Sequence, residues 1–138
     1  MGCADPSSTS SGTRWWYRWA GPALAALFTI TATLHFVVPG VFDALVPAAL
    51  PGGPRFWTLA SGMAELAVAV AIAEPRTRRF GGGAAVVLLL AVLPGNIKMA
   101  IDWSDRSLPE QLVAYARLPL QIPLILWALR VRRAAVFR

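Results

Sequence analysis

Four apolar stretches, each about as long as a membrane-spanning helix, decide what this chain can fold into. They cover about 19–38, 56–73, 81–101 and 113–131. A helix of about 20 residues rises about 30 Å, which is the thickness of the hydrocarbon core of a bilayer. The chain is 57% hydrophobic and 14% charged, whereas soluble domains carry about 25% charged residues. The sequence therefore predicts an all-α integral membrane protein with four spanning helices.

Short connections join these stretches, so residues 14–138 are predicted to form one domain. Neighbouring helices joined by short connections run antiparallel, which gives an up-down-up-down four-helix bundle. Residues 1–13, MGCADPSSTSSGT, are rich in Ser and Thr and are predicted to be a disordered tail. The single cysteine, Cys3, lies in this tail and excludes an internal disulfide. The apolar connection PGVFDALVPAALPGGP is expected to lie at the outer interface or to fold back over the bundle.

Arginine placement predicts the orientation of the bundle. Most arginines fall on one side of a four-span arrangement: Arg14, Arg18, Arg76, Arg78, Arg79, Arg130, Arg132, Arg133 and Arg138. Because the cytoplasmic side of a membrane protein carries the excess of Lys and Arg, both termini are predicted to be cytoplasmic. The net charge of +6 is then explained by topology. The expected partner is the lipid bilayer, and nucleic-acid binding is not expected.

The strongly polar side chains inside the predicted spans are concentrated in one part of the bilayer. In the antiparallel arrangement they fall at mid-depth or in the outer half, whereas the inner halves consist almost entirely of Ala, Val, Leu and Ile. The agreement of all four helices predicts a polar pocket that opens outward, with candidate residues His35, Glu65, Asn96, Arg117 and Gln121.

Glu65 is the most informative of these residues, because it lies near the middle of its helix. It is about 15 Å from the outer end, so its short side chain cannot reach water there. An unpaired charge at this depth costs on the order of several kcal/mol. Glu65 is therefore expected to be protonated, paired or facing a wet cavity, with Arg117 as the first partner and Lys98 as the second. Two interpretations stay open: a catalytic proton acceptor, or a structural ion pair that sets helix register.

Lys98 and the polar residues near it are predicted to occupy two different places, the rim of the pocket and its interior. Lys98 is one turn from Asp102, and its long stem can extend to the interface, so it is predicted at the rim. Asn96 points to nearly the opposite face of the same helix and is the better pocket candidate. Arg117 and Gln121 are four residues apart and share a face.

His35 is the single histidine of the chain. It is either a ligand-binding residue or a helix-end histidine that is hydrogen-bonded to Thr31, one turn earlier. Because haem usually takes two axial ligands in membrane cytochromes, one histidine argues against haem. The sequence contains no cluster of metal ligands, no phosphate-binding loop and no hydrolase triad, so no metal site is predicted.

Five segments carry a resemblance to a known family. In order they are LHFVVPGVFDALVPAALPG, SGMAELAVA, EPRTRR, LPGNIKMA and YARLPLQIPLILWALR. Together they resemble the DoxX-like family of small bacterial four-helix integral membrane proteins over nearly the whole chain after Trp19. The family's characteristic polar positions correspond to His35, Glu65, Asn96, Arg117 and Gln121.

The resemblance implies quinone-linked redox work in the bacterial cytoplasmic membrane, because the family is named for a small subunit of a membrane thiosulfate–quinone oxidoreductase. The chain would be an accessory or subunit, and not an enzyme on its own. A quinone would be the non-covalent cofactor, and a redox partner protein would supply electrons. Glu65 would accept a proton while the other polar residues hold the quinone. The alternative is a non-enzymatic small transporter or membrane assembly protein that uses the same polar cluster.

Overall fold

The computed structural model describes residues 10–135, with side chains from Arg18 onwards. Within this range the chain forms helices and short connections without a strand. The helices are α1 (Ser10–Val37), α2 (Pro39–Asp43), α3 (Pro54–Ala73), α4 (Arg78–Ala91), α5 (Leu93–Asp102) and α6 (Leu108–Ala134). The prediction of an all-α chain is confirmed for the described residues.

Four segments are long and apolar enough to cross a membrane. They are Arg18–Val37, Pro54–Ala73, Arg78–Asp102 and Leu108–Ala134. Each contains or closely overlaps one of the four stretches predicted from the sequence. The helical part of the chain begins earlier than predicted, because α1 starts at Ser10 and includes the last residues assigned to the tail. Cys3 lies outside the described residues.

Local sequence signals explain two helix boundaries that hydropathy alone misplaces. At the start of α6, the Glu110 carboxylate accepts hydrogen bonds from the Ser107 backbone N–H at 3.2 Å and from the Ser107 hydroxyl at 2.6 Å. A Ser followed three residues later by Glu is a signature of a helix N-terminus. Because of this capping, α6 starts at Leu108, five residues before the predicted apolar stretch begins.

The third spanning segment consists of two helices because of a proline. Pro94 has no backbone N–H to donate to the carbonyl one turn earlier, so the regular helix is interrupted at Val92. Hydrogen bonds from Val92 N–H to the Leu88 carbonyl (3.0 Å) and from Asn96 N–H to the Val92 carbonyl (3.1 Å) keep α4 and α5 nearly continuous. The break lies next to Asn96, one of the predicted site residues.

Two apolar clusters form the core. The first joins α1, α3, α4 and α6 and consists of Ala20, Leu24, Ala25, Phe28, Val68, Ala69, Ile72, Ala85, Ala128 and Val131. The second consists of Leu45, Met99 and Ala114, with Phe42 and Trp103 packed against it. Along α6, Gln121 lies between Ala128 of the first cluster and Ala114 of the second. We call the polar residues between the two clusters the polar layer: His35, Glu65, Asn96, Arg117 and Gln121.

The connection after α1 folds back onto the helices instead of extending into solvent. Leu45 inserts into the second apolar cluster. The Arg55 guanidinium pairs with the Asp43 carboxylate at 2.9 Å, and the Trp57 indole donates to the Pro51 carbonyl at 2.8 Å. The prediction that this segment folds over the bundle therefore agrees with these contacts. We call this region, around residues 38–53, the α2 end of the bundle.

Candidate functional site

A glycine brings His35 and Glu65 together across the α1–α3 contact. A Cβ atom at Gly62 would lie 2.8 Å from the His35 Cβ, so only glycine permits this approach. His35 and Glu65 are 7% and 8% exposed, respectively. Their nearest atoms, His35 Nδ1 and Glu65 Oε2, are 3.8 Å apart. The two predicted site residues are thus neighbours in a buried position.

The His35 ring is held in one orientation by its surroundings. Nδ1 lies 2.9 Å from the Thr31 carbonyl oxygen, and the ring stacks on Phe42 with 3.8 Å between centroids. Because a carbonyl oxygen only accepts hydrogen bonds, Nδ1 must carry the proton. In the neutral ring Nε2 is then an acceptor. His35 therefore makes the predicted hydrogen bond to Thr31 and also faces Glu65.

Glu65 has one oxygen without a partner. No hydrogen bond reaches Oε2 from the described residues, although this atom is buried. The Thr31 hydroxyl lies close to the carboxylate, but it donates its single proton to the Phe28 carbonyl at 3.1 Å. Buried polar groups are nearly always hydrogen-bonded to protein or water. The unpartnered oxygen therefore marks a place where a ligand or water is required.

The predicted direct pairing of Glu65 with Arg117 is wrong within the described residues. Arg117 is near enough to interact electrostatically with Glu65, but no ion-pair contact joins them. The packing gives the reason: α3 packs mainly against α1, α2 and α4, whereas α6 packs mainly against α4, α5 and α1. Arg117 therefore lies diagonally across the bundle from Glu65. Among the described Lys, Arg and His side chains, only that of His35 lies within 4 Å of the Glu65 carboxylate oxygens.

Lys98, the second predicted partner, points away from Glu65. Its Nζ forms an ion pair with Asp102, one turn later, and donates to the Ala44 carbonyl oxygen at 3.0 Å. Lys98 thus ties α5 to the segment that folds back over the bundle. This position agrees with the rim predicted from the one-turn spacing to Asp102.

Asn96 and Gln121 bind each other. The Asn96 amide nitrogen donates to Gln121 Oε1 at 3.1 Å, and the Gln121 amide nitrogen donates to the Leu89 carbonyl oxygen. Gln121 is 5% exposed. These bonds connect α6 to α4 and α5 around the interruption at Val92. Both residues were predicted to bind a ligand; the structure places them in an internal network, and their binding of a ligand stays a prediction.

Two residues beside the site were not predicted. Thr58 is 2% exposed, and its hydroxyl oxygen has no hydrogen-bond partner among the described residues. Asp43 Oδ1 is also buried without a partner. One signal was present in the sequence, since Thr58 precedes Glu65 by seven residues and therefore lies on the same helix face.

Asp43 makes the α2 end sensitive to acid. The Thr58 hydroxyl beside it and the Arg55 guanidinium hold the pKa of Asp43 below its ordinary value. A carboxylate with a lowered folded-state pKa contributes stability above its unfolded pKa, and the contribution is lost as pH falls through the folded pKa. We expect backbone amides of residues 39–53 to exchange faster in that acidic range, measured by hydrogen–deuterium exchange and corrected for intrinsic rates. Asp43→Asn should show fast exchange at every pH; a pH response retained in this variant would contradict the assignment.

Besides the Asn96–Gln121 network, the polar layer presents three groups that could contact a ligand. Among the side chains described from Arg18 to Ala135, no group of three His, Cys, Asp or Glu residues is placed to hold a metal ion. What the polar layer offers is one buried carboxylate, one imidazole acceptor and one guanidinium. Arg117 makes no hydrogen bond within the described residues. These groups can bind a small polar head group and exchange a proton with it.

Comparison with known proteins identifies a family but no activity. A family model described as "Domain of unknown function (DUF8561)" matches residues 24–132, which include every residue of the polar layer. No curated protein and no solved structure matches the chain. The resemblance to the DoxX-like family is not tested by this match and stays a prediction.

Proposed function

Because the chain belongs to this family of unknown function, we propose its function from the site itself: an integral membrane subunit or accessory protein that binds a quinone in the polar layer. The observation that carries the proposal is the buried Glu65 carboxylate, whose Oε2 has no hydrogen-bond partner among the described residues. Polar and ionisable groups inside a membrane are expensive and mark functional sites. A carboxylate left without a partner beside an imidazole is suited to proton exchange with a ligand.

The proposal includes a topology. We place the four spanning segments in an up-down-up-down bundle, with both termini in the cytoplasm of a bacterium. The distribution of arginines supports this orientation. One contact supports placing both termini at the same end of the bundle: the Trp127 indole near the end of α6 donates to the Ala20 carbonyl near the start of α1 at 3.1 Å. The α2 end then faces the outside.

A quinone head group fits the groups that the polar layer presents. The two carbonyl oxygens of a quinone accept hydrogen bonds, and the Arg117 guanidinium provides donors for one of them. Quinone reduction takes up two electrons and two protons; we assign the electrons to the redox centre of a partner protein. Glu65 takes up a proton from water and passes it through Oε2 to the quinone, and repeats this step for the second proton, while His35 Nε2 accepts a hydrogen bond from the reduced form. Glu65 is the proposed proton acceptor, and Lys98 lies at the rim.

The Asn96–Gln121 network favours a second candidate function. These amides bind each other and the Leu89 carbonyl, as expected of residues that hold helices together. A non-enzymatic transporter or assembly protein would use the polar layer in this way, with Glu65 and His35 as a recognition element. This alternative predicts that no quinone is retained.

Cofactor content distinguishes the two candidates. We would purify the protein in mild detergent with quinone supplied throughout, extract it with organic solvent, and identify quinones by mass spectrometry. An absorption spectrum of the same sample would test for haem. Quinone at about one molecule per chain would support the proposal. Absence of quinone in samples that keep their bound phospholipid would exclude it in favour of transport or assembly.

A further inference from the structure

Three buried oxygen atoms without hydrogen-bond partners lie on one side of the bundle. Among the described side chains they are Asp43 Oδ1, Thr58 Oγ1 and Glu65 Oε2. All three belong to α2 and α3, and none belongs to α4, α5 or α6. Because unpartnered buried oxygens are costly, and water usually satisfies such atoms, their grouping indicates ordered water along this interface.

Thr58 differs from the threonines of α1 in a way that points to water. Thr29 donates its hydroxyl to the Ala25 carbonyl at 2.9 Å, and Thr33 donates to the Thr29 carbonyl at 2.8 Å. This bond to the preceding turn is the usual arrangement for a helical threonine. Thr58 is more deeply buried than either residue and does not form it. Its hydroxyl lies beside the Asp43 carboxylate instead, and the oxygen lone pairs can still accept a hydrogen bond from water.

The spacing along α3 allows water to connect these atoms. Thr58, Ser61 and Glu65 are separated by three and four residues, which places them on one helix face. The corresponding rises are about 4.5 Å and about 6 Å, too long for direct hydrogen bonds and suitable for one bridging water in each gap. At the far end, Asp43 is paired with the exposed Arg55 at the α2 end.

We propose that Asp43, Thr58 and Ser61 hold a chain of water molecules that carries protons between the α2 end and Glu65. The ionised Asp43 carboxylate accepts hydrogen bonds from the first water molecule and orients it. Each water molecule and hydroxyl group then accepts a proton from the side of the α2 end and releases its own proton towards Glu65, so Glu65 is the group whose protonation changes. The charged and titratable groups that face the carboxylate are His35 of α1 and Arg117 of α6. Asp43 faces Arg55. The inference rests on the proposed role of Glu65 as a proton acceptor.

The test measures isotope exchange at the Glu65 carboxyl group in the full, detergent-purified chain. The carbonyl stretch of protonated Glu65 is assigned from the infrared difference between the wild type and Glu65→Gln, after acidification until the band appears. Transfer to D₂O then shifts this band as the proton is replaced. We expect Thr58→Val, which keeps the shape but removes the hydroxyl, to slow the shift about tenfold, as loss of one hydrogen-bonding group implies. Ser61→Ala should slow it similarly.

Two control variants make the result specific. Thr58→Ser retains the hydroxyl and should exchange like the wild type, and so should Thr33→Val, whose hydroxyl is satisfied within α1. Exchange at the wild-type rate in both Thr58→Val and Ser61→Ala would overturn the proposal. So would equally slow exchange in Thr58→Ser and Thr58→Val, since packing would then be the cause. No quinone is present in this measurement, so failure of the quinone proposal leaves its outcome unaffected.

Discussion

Glu65→Gln is expected to weaken binding of the reduced quinone by about one to two orders of magnitude while leaving the protein at least as stable as the wild type. The amide keeps the shape of the side chain but cannot take up or release the proton that the proposed ligand exchanges. A hydrogen bond to a charged group contributes about 1.5–3 kcal/mol, which corresponds to roughly one to two orders of magnitude in Kd. Titration with a short-chain hydroquinone, whose hydroxyl groups donate hydrogen bonds to a carboxylate, followed by quenching of tryptophan fluorescence, measures this loss.

The thermal stability of Glu65→Gln distinguishes a ligand-binding Glu65 from a Glu65 that forms a structural ion pair. Glu65 Oε2 is buried without a partner, so a neutral amide removes a desolvation cost and the thermal midpoint should stay equal or rise. Removing one member of a true buried ion pair costs about 3–5 kcal/mol and would lower it. A variant that loses both stability and binding would support the structural interpretation. Equal quinone binding by the wild type and Glu65→Gln would refute the pocket model.

Lys98→Gln is the matched control for charge, because it also replaces one ionised side chain by an amide. Lys98 lies at the rim, where it contacts Asp102 and the Ala44 carbonyl rather than Glu65. Exposed ion pairs contribute about 0–1 kcal/mol, so we expect a few-fold weaker Kd and no loss of the site. An effect as large as that of Glu65→Gln would move the binding site to the rim.

The number of candidate membrane spans could be predicted from the sequence because it depends on positions along a single helix. An apolar stretch of span length is a one-dimensional signal, and all four candidate spans were found from it. Two helix boundaries differ from the prediction for local reasons. The capping residues Ser107 and Glu110 extend α6 at its start, and Pro94 interrupts the third spanning segment. Both causes are visible in the sequence once capping and proline are weighed together with hydropathy.

Partners across the bundle could not be predicted, because they depend on which helices are neighbours. From depth alone, Arg117 is expected at about the same level as Glu65. In the packed bundle, however, α3 and α6 lie diagonally opposite each other, and His35 is the residue beside the carboxylate. Gln121 is buried and Asn96 is partly buried, but the hydrogen bond between them joins two helices and could not be predicted from positions along one helix. Gly62 allows His35 to approach Glu65, but a glycine in the sequence does not indicate which helix packs against it.

Gly81→Ala is expected to produce the largest loss of stability among small substitutions in the described chain. A Cβ atom at Gly81 would lie 2.6 Å from the Ala71 carbonyl carbon and 2.6 Å from the Ile72 backbone nitrogen. These are main-chain atoms of α3, so the helices must move apart. Their separation would also disturb the hydrogen bonds by which Arg78 satisfies the Ile72 and Ala73 carbonyls at the end of α3, at 2.8 and 2.9 Å. Overpacking of this kind costs about 1–3 kcal/mol.

Gly83→Ala, in the same helix, is the control with which the melting midpoint of Gly81→Ala is compared. A Cβ at Gly83 would meet only the Arg132 side chain at 3.9 Å, an ordinary contact. Because alanine favours a helix over glycine by about 0.5–1 kcal/mol, Gly83→Ala should raise the apparent melting midpoint in detergent. Gly81→Ala gains the same helix propensity, so any drop in its midpoint reports the α3–α4 contact. Equal midpoints for the two variants would show that α4 does not pack this closely on α3, and that the close approach of their backbones is absent in the folded protein.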